Sequence, residues 1–221
     1  MKTIAILNQK GGSGKTTISI NMTEALRRQG KNVVLVDSDP QGSARDWAAA
    51  AEECPFPVVG IDRPTIDRDI KVITDRDFII IDGAPQIANL AASAIKAADI
   101  VLIPVQPSGL DVWATADMVD IIKQRIEITD GKLKAAFVIN RVIKNTKIGN
   151  EILTVIADYG LPVLETVIHQ RVAYASTISE GQTIFQGSHP DAIKEMNDVI
   201  NEVLSLWWFD KKYLCSNVQM F

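Results

Sequence analysis

The sequence predicts a single α/β domain whose mostly parallel, twisted sheet carries helices on both faces. Short apolar runs, typical of strands buried on both faces, alternate along the chain with segments of helical pattern. Three of these runs end in residues that carry chemistry: a glycine loop, a pair of aspartates and a single aspartate. At 221 residues the chain is long enough for one such domain with a substantial core, and short for two.

Composition excludes several classes of protein. No apolar run approaches the roughly 20 residues that cross a bilayer, and Met1 leads straight into a core strand without a leader, so we expect a cytoplasmic protein. Cys54 and Cys215 lie far apart and have neither disulfide-framework nor metal-ligand spacing. A net charge of −4 argues against a surface devoted to nucleic acid, but it leaves room for a local basic patch.

The first predicted strand, Ile4–Leu7, runs into a glycine loop and then into a helix over Thr16–Arg28. Its glycines let successive backbone N–H groups approach a phosphate, and the helix N-terminus adds a positive dipole end. Lys15 is placed to reach the outer phosphates, and the Thr16 hydroxyl to bind magnesium. A loop that merely turns a strand into a helix is the alternative.

This loop differs from the pattern G-x-x-x-x-G-K-[ST] because Gln9 replaces the first glycine and a second lysine, Lys10, follows it. It resembles the deviant phosphate loop of the ParA/MinD family of ATPases, which implies a P-loop NTPase fold. In that family the extra lysine reaches the partner's ATP across a nucleotide-sandwich dimer, so the resemblance implies a homodimer in the ATP state. The implied nucleotide-binding residues of the loop are Lys10, Gly11, Gly12, Ser13, Gly14, Lys15, Thr16 and Thr17.

The second predicted strand, Val33–Val36, ends in the loop Asp37–Gly42. Carboxylates at such a strand end face the crevice where α/β sheets bind ligands. Asp-x-Asp-Pro-Gln is also the second signature of the ParA branch. The resemblance implies that Asp39 positions the attacking water and that Asp37 supports the magnesium shell, whereas a turn rich in aspartate is the alternative.

The central part of the chain contains one further candidate. After a helix over Ser43–Glu53, a short strand over Val58–Ile61 and a surface helix over Thr65–Thr74, the strand Phe78–Ile81 ends in Asp82. This arrangement is typical of a Walker B element, whose aspartate holds magnesium directly or through water. The predicted metal ligands are Thr16, Asp37 and Asp82, and the predicted catalytic residues are Lys10, Lys15 and Asp39.

The following segments extend the alternation. A helix over Ile87–Ala98 and a strand over Ile100–Ile103 lead to the loop Pro104–Asp111, which is either a rigid connection or, by resemblance, a wall of the nucleotide site. After a helix over Val112–Ile128, the strand Lys134–Ile139 ends at Asn140 and Arg141. The resemblance implies that Asn140 reads the adenine edge, with Arg141 beside it; a turn asparagine is the alternative.

Local positive charge is concentrated in the later half of the chain. Lys144, Lys147 and Arg171 are the candidate contacts to nonspecific DNA, since phosphate contacts need only lysine and arginine; an ordinary solvated surface is the alternative. A strand over Val163–Ile168 precedes Arg171, and a terminal helix covers Asp191–Trp208. We place the domain at residues 1–206 and expect the tail, 207–221, to fray, so membrane binding through it is not favoured.

The sequence resembles the small plasmid-partition ParA ATPases most. That resemblance implies an ATP- and Mg²⁺-dependent DNA segregation ATPase on the nucleoid, stimulated by a separate centromere-binding adaptor, since the loop begins too early for an amino-terminal helix-turn-helix domain. A MinD-like membrane-cycling ATPase and a ParA-like ATPase that positions another cargo, such as a microcompartment, remain alternatives. A reductase of the nitrogenase iron-protein type would need interface cysteines, which Cys54 and Cys215 do not provide.

Overall fold

The computed structural model describes residues 1–109, 113–144 and 155–207. Within these ranges one sheet of seven strands contains parallel pairs only, which confirms the predicted fold class. The strands are β1 Lys2–Ile6, β2 Val33–Asp37, β3 Val58–Gly60, β4 Phe78–Asp82, β5 Ile100–Val105, β6 Lys134–Val142 and β7 Ile168–His169. The α-helices are α1 Lys15–Arg28, α2 Ser43–Ala50, α3 Ile66–Asp69, α4 Ala88–Ala97, α5 Ala116–Ile128, α6 Val172–Ser179 and α7 Pro190–Ser205.

The strand order is β3-β2-β4-β1-β5-β6-β7, so β1 lies between β4 and β5. From β1 the chain proceeds to one side of the sheet through β2, β3 and β4, and then to the other side through β5, β6 and β7. A crevice opens outside the carboxyl ends of the strands where the direction of winding changes, and α/β sheets bind their ligands there. In this chain the loop between β1 and α1 occupies that position.

Two hydrophobic cores cover the two faces of the sheet. Ile4 and Ile6 of β1 belong to the core that contains the apolar sides of α1, α2 and α7. Ala5 and Leu7 belong to the opposite core, with α3, α4 and α5. Successive side chains of a strand point to opposite faces, so a continuous apolar run satisfies both cores, as the sequence pattern predicts.

Two predicted elements differ from the structure. The surface helix expected over Thr65–Thr74 is the short α3 followed by a 3₁₀ turn, Ile70–Val72, and both Ile66 and Ile70 are buried. These aliphatic residues pack in the core below α3, which breaks the regular helix that their spacing favours. The strand expected over Val163–Ile168 is wrong in extent, because Val163 makes only an isolated bridge to Phe137 and β7 begins at Ile168.

The carboxyl end of the described chain packs on the domain. The terminal helix, α7, ends at Ser205 and not at Trp208. The ring centroid of Trp207 lies 6.0 Å from that of Phe78, and the Lys2 ammonium lies 5.1 Å from the Trp207 ring centroid. Trp207, assigned to the tail, therefore contacts the sheet, while residues 208–221 lie outside the described part of the chain. Among the described helices none has the length and apolarity to span a bilayer.

Candidate functional site

Three strand ends meet at the amino-terminal side of α1. In the sheet register Asp82 pairs with Ile6 of β1 on one side and with Asp37 of β2 on the other. The loop that follows β1 is therefore flanked by both aspartates at the same level of the sheet. Sequence analysis assigns all three to one site, and the strand order brings them together.

The glycine loop adopts a conformation that only glycine accepts readily. Gly12 and Gly14 have φ angles of 73° and 96°, in the left-handed region. The Lys15 ammonium folds back over the loop and donates a 3.0 Å hydrogen bond to the Lys10 carbonyl oxygen. Burial lowers the pKa of Lys15 from its ordinary value, and the negative charges of Asp82 and Asp39 oppose that change. A phosphate entering the loop would meet this lysine and the N-terminus of α1 together.

Asp82 is fully buried below the loop. One carboxylate oxygen, Oδ1, accepts a 3.1 Å hydrogen bond from the Ser19 hydroxyl, whereas Oδ2 is buried without a hydrogen-bond partner. Burial raises the pKa of Asp82 to about 7; the Thr16 hydroxyl opposes the shift and the Asp37 charge adds to it. An unsatisfied carboxylate oxygen near a threonine hydroxyl fits the oxygen ligands that Mg²⁺ prefers, directly or through water.

Asp37 organises the loop that follows β2. Its Oδ2 atom accepts hydrogen bonds from the backbone N–H groups of Ala44 and Arg45, at 3.1 and 3.0 Å. Its Oδ1 atom accepts one from the Asp39 N–H, at 3.0 Å. Both oxygens thus hold the loop and the start of α2, so a contribution to the magnesium shell stays a prediction.

Asp39 is half-buried at the tip of this loop. Its carboxylate accepts a 2.9 Å hydrogen bond from the Gln41 N–H, and its charge raises the pKa of Lys15. The electrostatic effect places Asp39 on the side of the loop that faces the lysine, as its predicted role with an attacking water requires. No geometry to a nucleotide follows from this contact, and the role itself stays a prediction.

Asn140 has an arrangement that sequence analysis does not predict. Its side-chain amide donates a 2.8 Å hydrogen bond to the Ser13 carbonyl oxygen, and its Oδ1 atom accepts one from the Arg141 N–H at 2.9 Å. A Cβ atom on Gly14 would lie 2.2 Å from Asn140 Nδ2. The amide expected to read adenine is therefore engaged by the glycine loop here, while the neighbouring Arg141 is exposed and has a φ of 59°.

Other polar residues at the site escape sequence reasoning because no motif marks them. Asn8 donates to the Pro104 carbonyl oxygen at 2.7 Å and accepts from the Lys10 N–H at 2.8 Å. The Ser38 hydroxyl donates to the Asp82 carbonyl oxygen at 2.7 Å, and Gln106 Nε2 donates to the Gly12 carbonyl oxygen at 3.2 Å. The loop after β5 thus touches the glycine loop, as one alternative for it predicts, although residues 110–112 lie outside the described chain.

The two lysines of the loop have different surroundings. Lys15 is 6% exposed, whereas Lys10 lines an open cavity of about 380 Å³ together with Gln9, Gln86, Trp113, Ala114 and Asp117. This cavity lies at the outer surface of the glycine loop. Its position is compatible with the predicted action of Lys10 on a neighbouring copy's nucleotide, which stays a prediction.

The predicted DNA contacts fall into three situations. Lys144 is exposed next to the end of β6, and Lys147 lies outside the described residues. Arg171 forms ion pairs with Glu195 and, at 3.5 Å, with Asp191, and these partners raise its pKa. The charge of Arg171 is therefore balanced locally, which makes it a weaker phosphate contact than its sequence position indicates.

Comparison with known proteins agrees with this geometry. Residues 4–184 match the family described as the CobQ/CobB/MinD/ParA nucleotide binding domain. The chain is 34% identical over 209 residues to the maintenance of carboxysome distribution protein A of Halothiobacillus neapolitanus, covering 91% of this chain and 96% of the relative. It is 28% identical over 188 residues to protein ParA of Rhizobium radiobacter, covering 82% and 84% respectively.

The fold also matches a solved structure. Cobyrinic acid a,c-diamide synthase from Mycobacterium smegmatis, solved with bound ADP and magnesium, superposes with a TM-score of 0.73. The superposition covers 94% of this chain and 96% of that one, at 23% sequence identity. At this identity the likeness establishes the shared fold.

Proposed function

The chain belongs to the CobQ/CobB/MinD/ParA nucleotide-binding family, and from this premise we propose that it is an ATPase of the ParA/MinD type that positions a large cellular cargo. The observation that carries the proposal is the glycine loop with two lysines, set above a buried Asp82 that has an unpaired oxygen. A site that offers a lysine, a helix N-terminus and a magnesium ligand at one point suits the terminal phosphates of a nucleoside triphosphate.

Each residue of the site has a defined part in this mechanism. Lys15 and the loop N–H groups bind the β- and γ-phosphates, while Thr16 and Asp82 hold Mg²⁺. When bound, the ion supplies positive charge to the phosphate oxygens. Asp39 orients the attacking water for in-line displacement, so the protein contributes position and charge instead of covalent chemistry.

The nucleotide state controls association between copies. Lys10, at the outer surface of the loop, adds a positive charge to the ATP of a second copy and so favours a dimer while the γ-phosphate is present. Two copies bring two sets of basic residues to DNA, which multiplies the phosphate contacts and the avidity. Hydrolysis then releases the copies from each other and from the nucleoid.

Two cargoes are favoured by specific relatives. The relative with 34% identity is named for carboxysome distribution, which favours a protein microcompartment as cargo. The relative named ParA, at 28%, keeps plasmid or chromosome partition as the second candidate. In the first case the stimulating partner is an adaptor on the compartment, and in the second case it is a centromere-binding protein.

DNA co-sedimentation with ATP, with ADP and without nucleotide tests the proposal across a salt series. We expect retention on DNA with ATP only, a steep decrease in retention as salt rises, and loss of the ATP effect in the Lys15→Ala variant. Equal retention in all three nucleotide states would contradict the coupling of ATP to DNA binding. Deleting the gene and imaging plasmids and compartments then distinguishes the two cargoes.

A further inference from the structure

We propose that Arg45 is a positioning residue that holds the loop Asp37–Gln41 in the shape that directs Asp39 toward the nucleotide. The inference depends on the proposed ATPase function, because it assigns a part in that reaction to a residue outside the glycine loop. Arg45 is the third residue of α2, and no part of the phosphate-binding motif includes it.

The guanidinium of Arg45 joins three points of the chain. Its Nη2 atom donates a 2.9 Å hydrogen bond to the carbonyl oxygen of Asp39, and its Nε atom lies 3.4 Å from Oδ2 of Asp37. The same Nη2 atom lies 3.3 Å from Oδ2 of Asp62, just beyond the end of β3. One side chain thus connects the beginning and the middle of the loop to a neighbouring strand end.

Two glycines leave the space in which this guanidinium lies. A Cβ atom on Gly42 would be 3.2 Å from Arg45 Nη2, and a Cβ atom on Gly60 would be 2.9 Å from Nη1. Gly42 also has a φ of 72°, which turns the chain from the loop into α2. The side chain fills a slot bounded by the loop on one side and by β3 on the other.

Charge and geometry both favour arginine here. Asp37 is fully buried, and a buried carboxylate needs hydrogen-bond donors and a compensating charge. The planar fork of a guanidinium can donate to Asp37, to the Asp39 carbonyl and to Asp62 at once, whereas an ammonium is a compact point charge. A lysine would keep a positive charge near Asp37 without spanning the three acceptors.

The consequence concerns the rate of the chemical step. Residues 40 and 41 are exposed, and the printed contact of the Asp39 carboxylate is within its own turn. Arg45 therefore anchors the main chain of Asp39 from the side opposite the glycine loop. Displacement of a catalytic group by about 1 Å can reduce a rate by about 10²-fold, so a looser loop reduces kcat.

Steady-state ATPase kinetics of the Arg45→Lys and Arg45→Met variants test the proposal. We expect kcat to fall about tenfold in both variants while KM for ATP stays within about twofold, since Arg45 acts on the loop and not on the phosphates. Asp62→Asn removes only the outer acceptor and should reduce kcat less. The matched control is Arg63→Met, because Arg63 is 72% exposed and pairs with Asp69 on the surface.

The outcomes separate this inference from the function on which it depends. A wild-type protein that does not hydrolyse ATP would refute the proposed function before any variant is compared. An active wild type with unchanged kcat in the Arg45→Lys variant would overturn the role of Arg45. If Arg45→Met fails to fold, Arg45→Lys decides alone; parallel losses of kcat, ATP affinity and melting temperature in that variant would assign Arg45 to stability and overturn the proposal.

Discussion

The side-chain amide of Asn140 donates a hydrogen bond to the carbonyl oxygen of Ser13, 127 residues earlier in the chain, over 2.8 Å. The contact ties the end of β6 to the glycine loop after β1. It also explains why Gly14 has no substitute, because any Cβ there would collide with the amide. Asn140 is 5% exposed, so the contact is buried and contributes to the shape of the loop.

We predict that Asn140→Ala weakens ATP and GTP binding to a similar degree, by about 1 kcal/mol, the usual net value of a hydrogen bond. The reason is that the variant releases the Ser13 carbonyl and loosens the loop that both nucleotides share. Titration calorimetry with the two nucleotides measures this. A selective gain of GTP affinity would instead support the adenine-reading role that the resemblance implies.

We predict a pH-dependent effect of Asp82→Asn on stability in the absence of magnesium and nucleotide. The pKa of Asp82 is raised to about 7, above the ordinary value of about 3.9 for an unfolded chain. Between these values the unfolded chain releases the proton first, so ionisation destabilises the folded wild type as pH rises. The stability advantage of the variant should therefore grow from about pH 4 to about pH 7 and then level off.

Urea denaturation of wild type and variant across that range measures the difference. Asp46→Asn, at an exposed position of α2, is the control. Stability curves that stay parallel for wild type and the Asp82→Asn variant would contradict the buried, proton-binding carboxylate. The same variant should lose magnesium-dependent ATPase activity, because the amide no longer offers an anionic ligand.

We predict that Lys10→Ala binds ATP but does not dimerise with it. Lys15 and the loop amides remain to hold the phosphates, whereas the charge offered to a second copy is gone. Sedimentation velocity with ATP and with ADP measures the association state, and Lys71→Ala, at an exposed position after α3, is the control. ATP-dependent dimers of the Lys10→Ala variant, or an ATP-loaded wild type that stays monomeric, would refute the sandwich arrangement.

We predict that Lys144→Ala weakens DNA binding more than Arg171→Ala does. Lys144 is exposed, while the guanidinium of Arg171 is paired with Glu195 and Asp191. Loss of one phosphate contact should lower the salt dependence of binding by about 1 in the log–log slope per protomer. Fluorescence anisotropy with random-sequence DNA measures it, with Lys31→Ala as the control; a larger effect of Arg171→Ala would place the DNA surface at α6.

Much of this site can be predicted from the sequence because its signals are local. The glycine loop requires positive φ angles at fixed positions, and buried parallel strands appear as continuous apolar runs that end in aspartates. Thr65–Thr74 is the counterexample. Its alternation favours an exposed helix, yet the burial of Ile66 and Ile70 depends on which helix packs over them, and spacing along ten residues does not contain that information.

The sequence by itself determined the phosphate loop, the strands that lead to it and the aspartates that follow β2 and β4, since each depends on neighbouring residues. Only the tertiary structure decided which of these side chains meet. The strand order places Asp37 and Asp82 side by side, brings Asn140 onto the glycine loop, pairs Arg171 with α7 and lays Arg45 across the Asp39 loop. These are contacts between segments far apart in the chain, and packing and charge in the folded molecule select them.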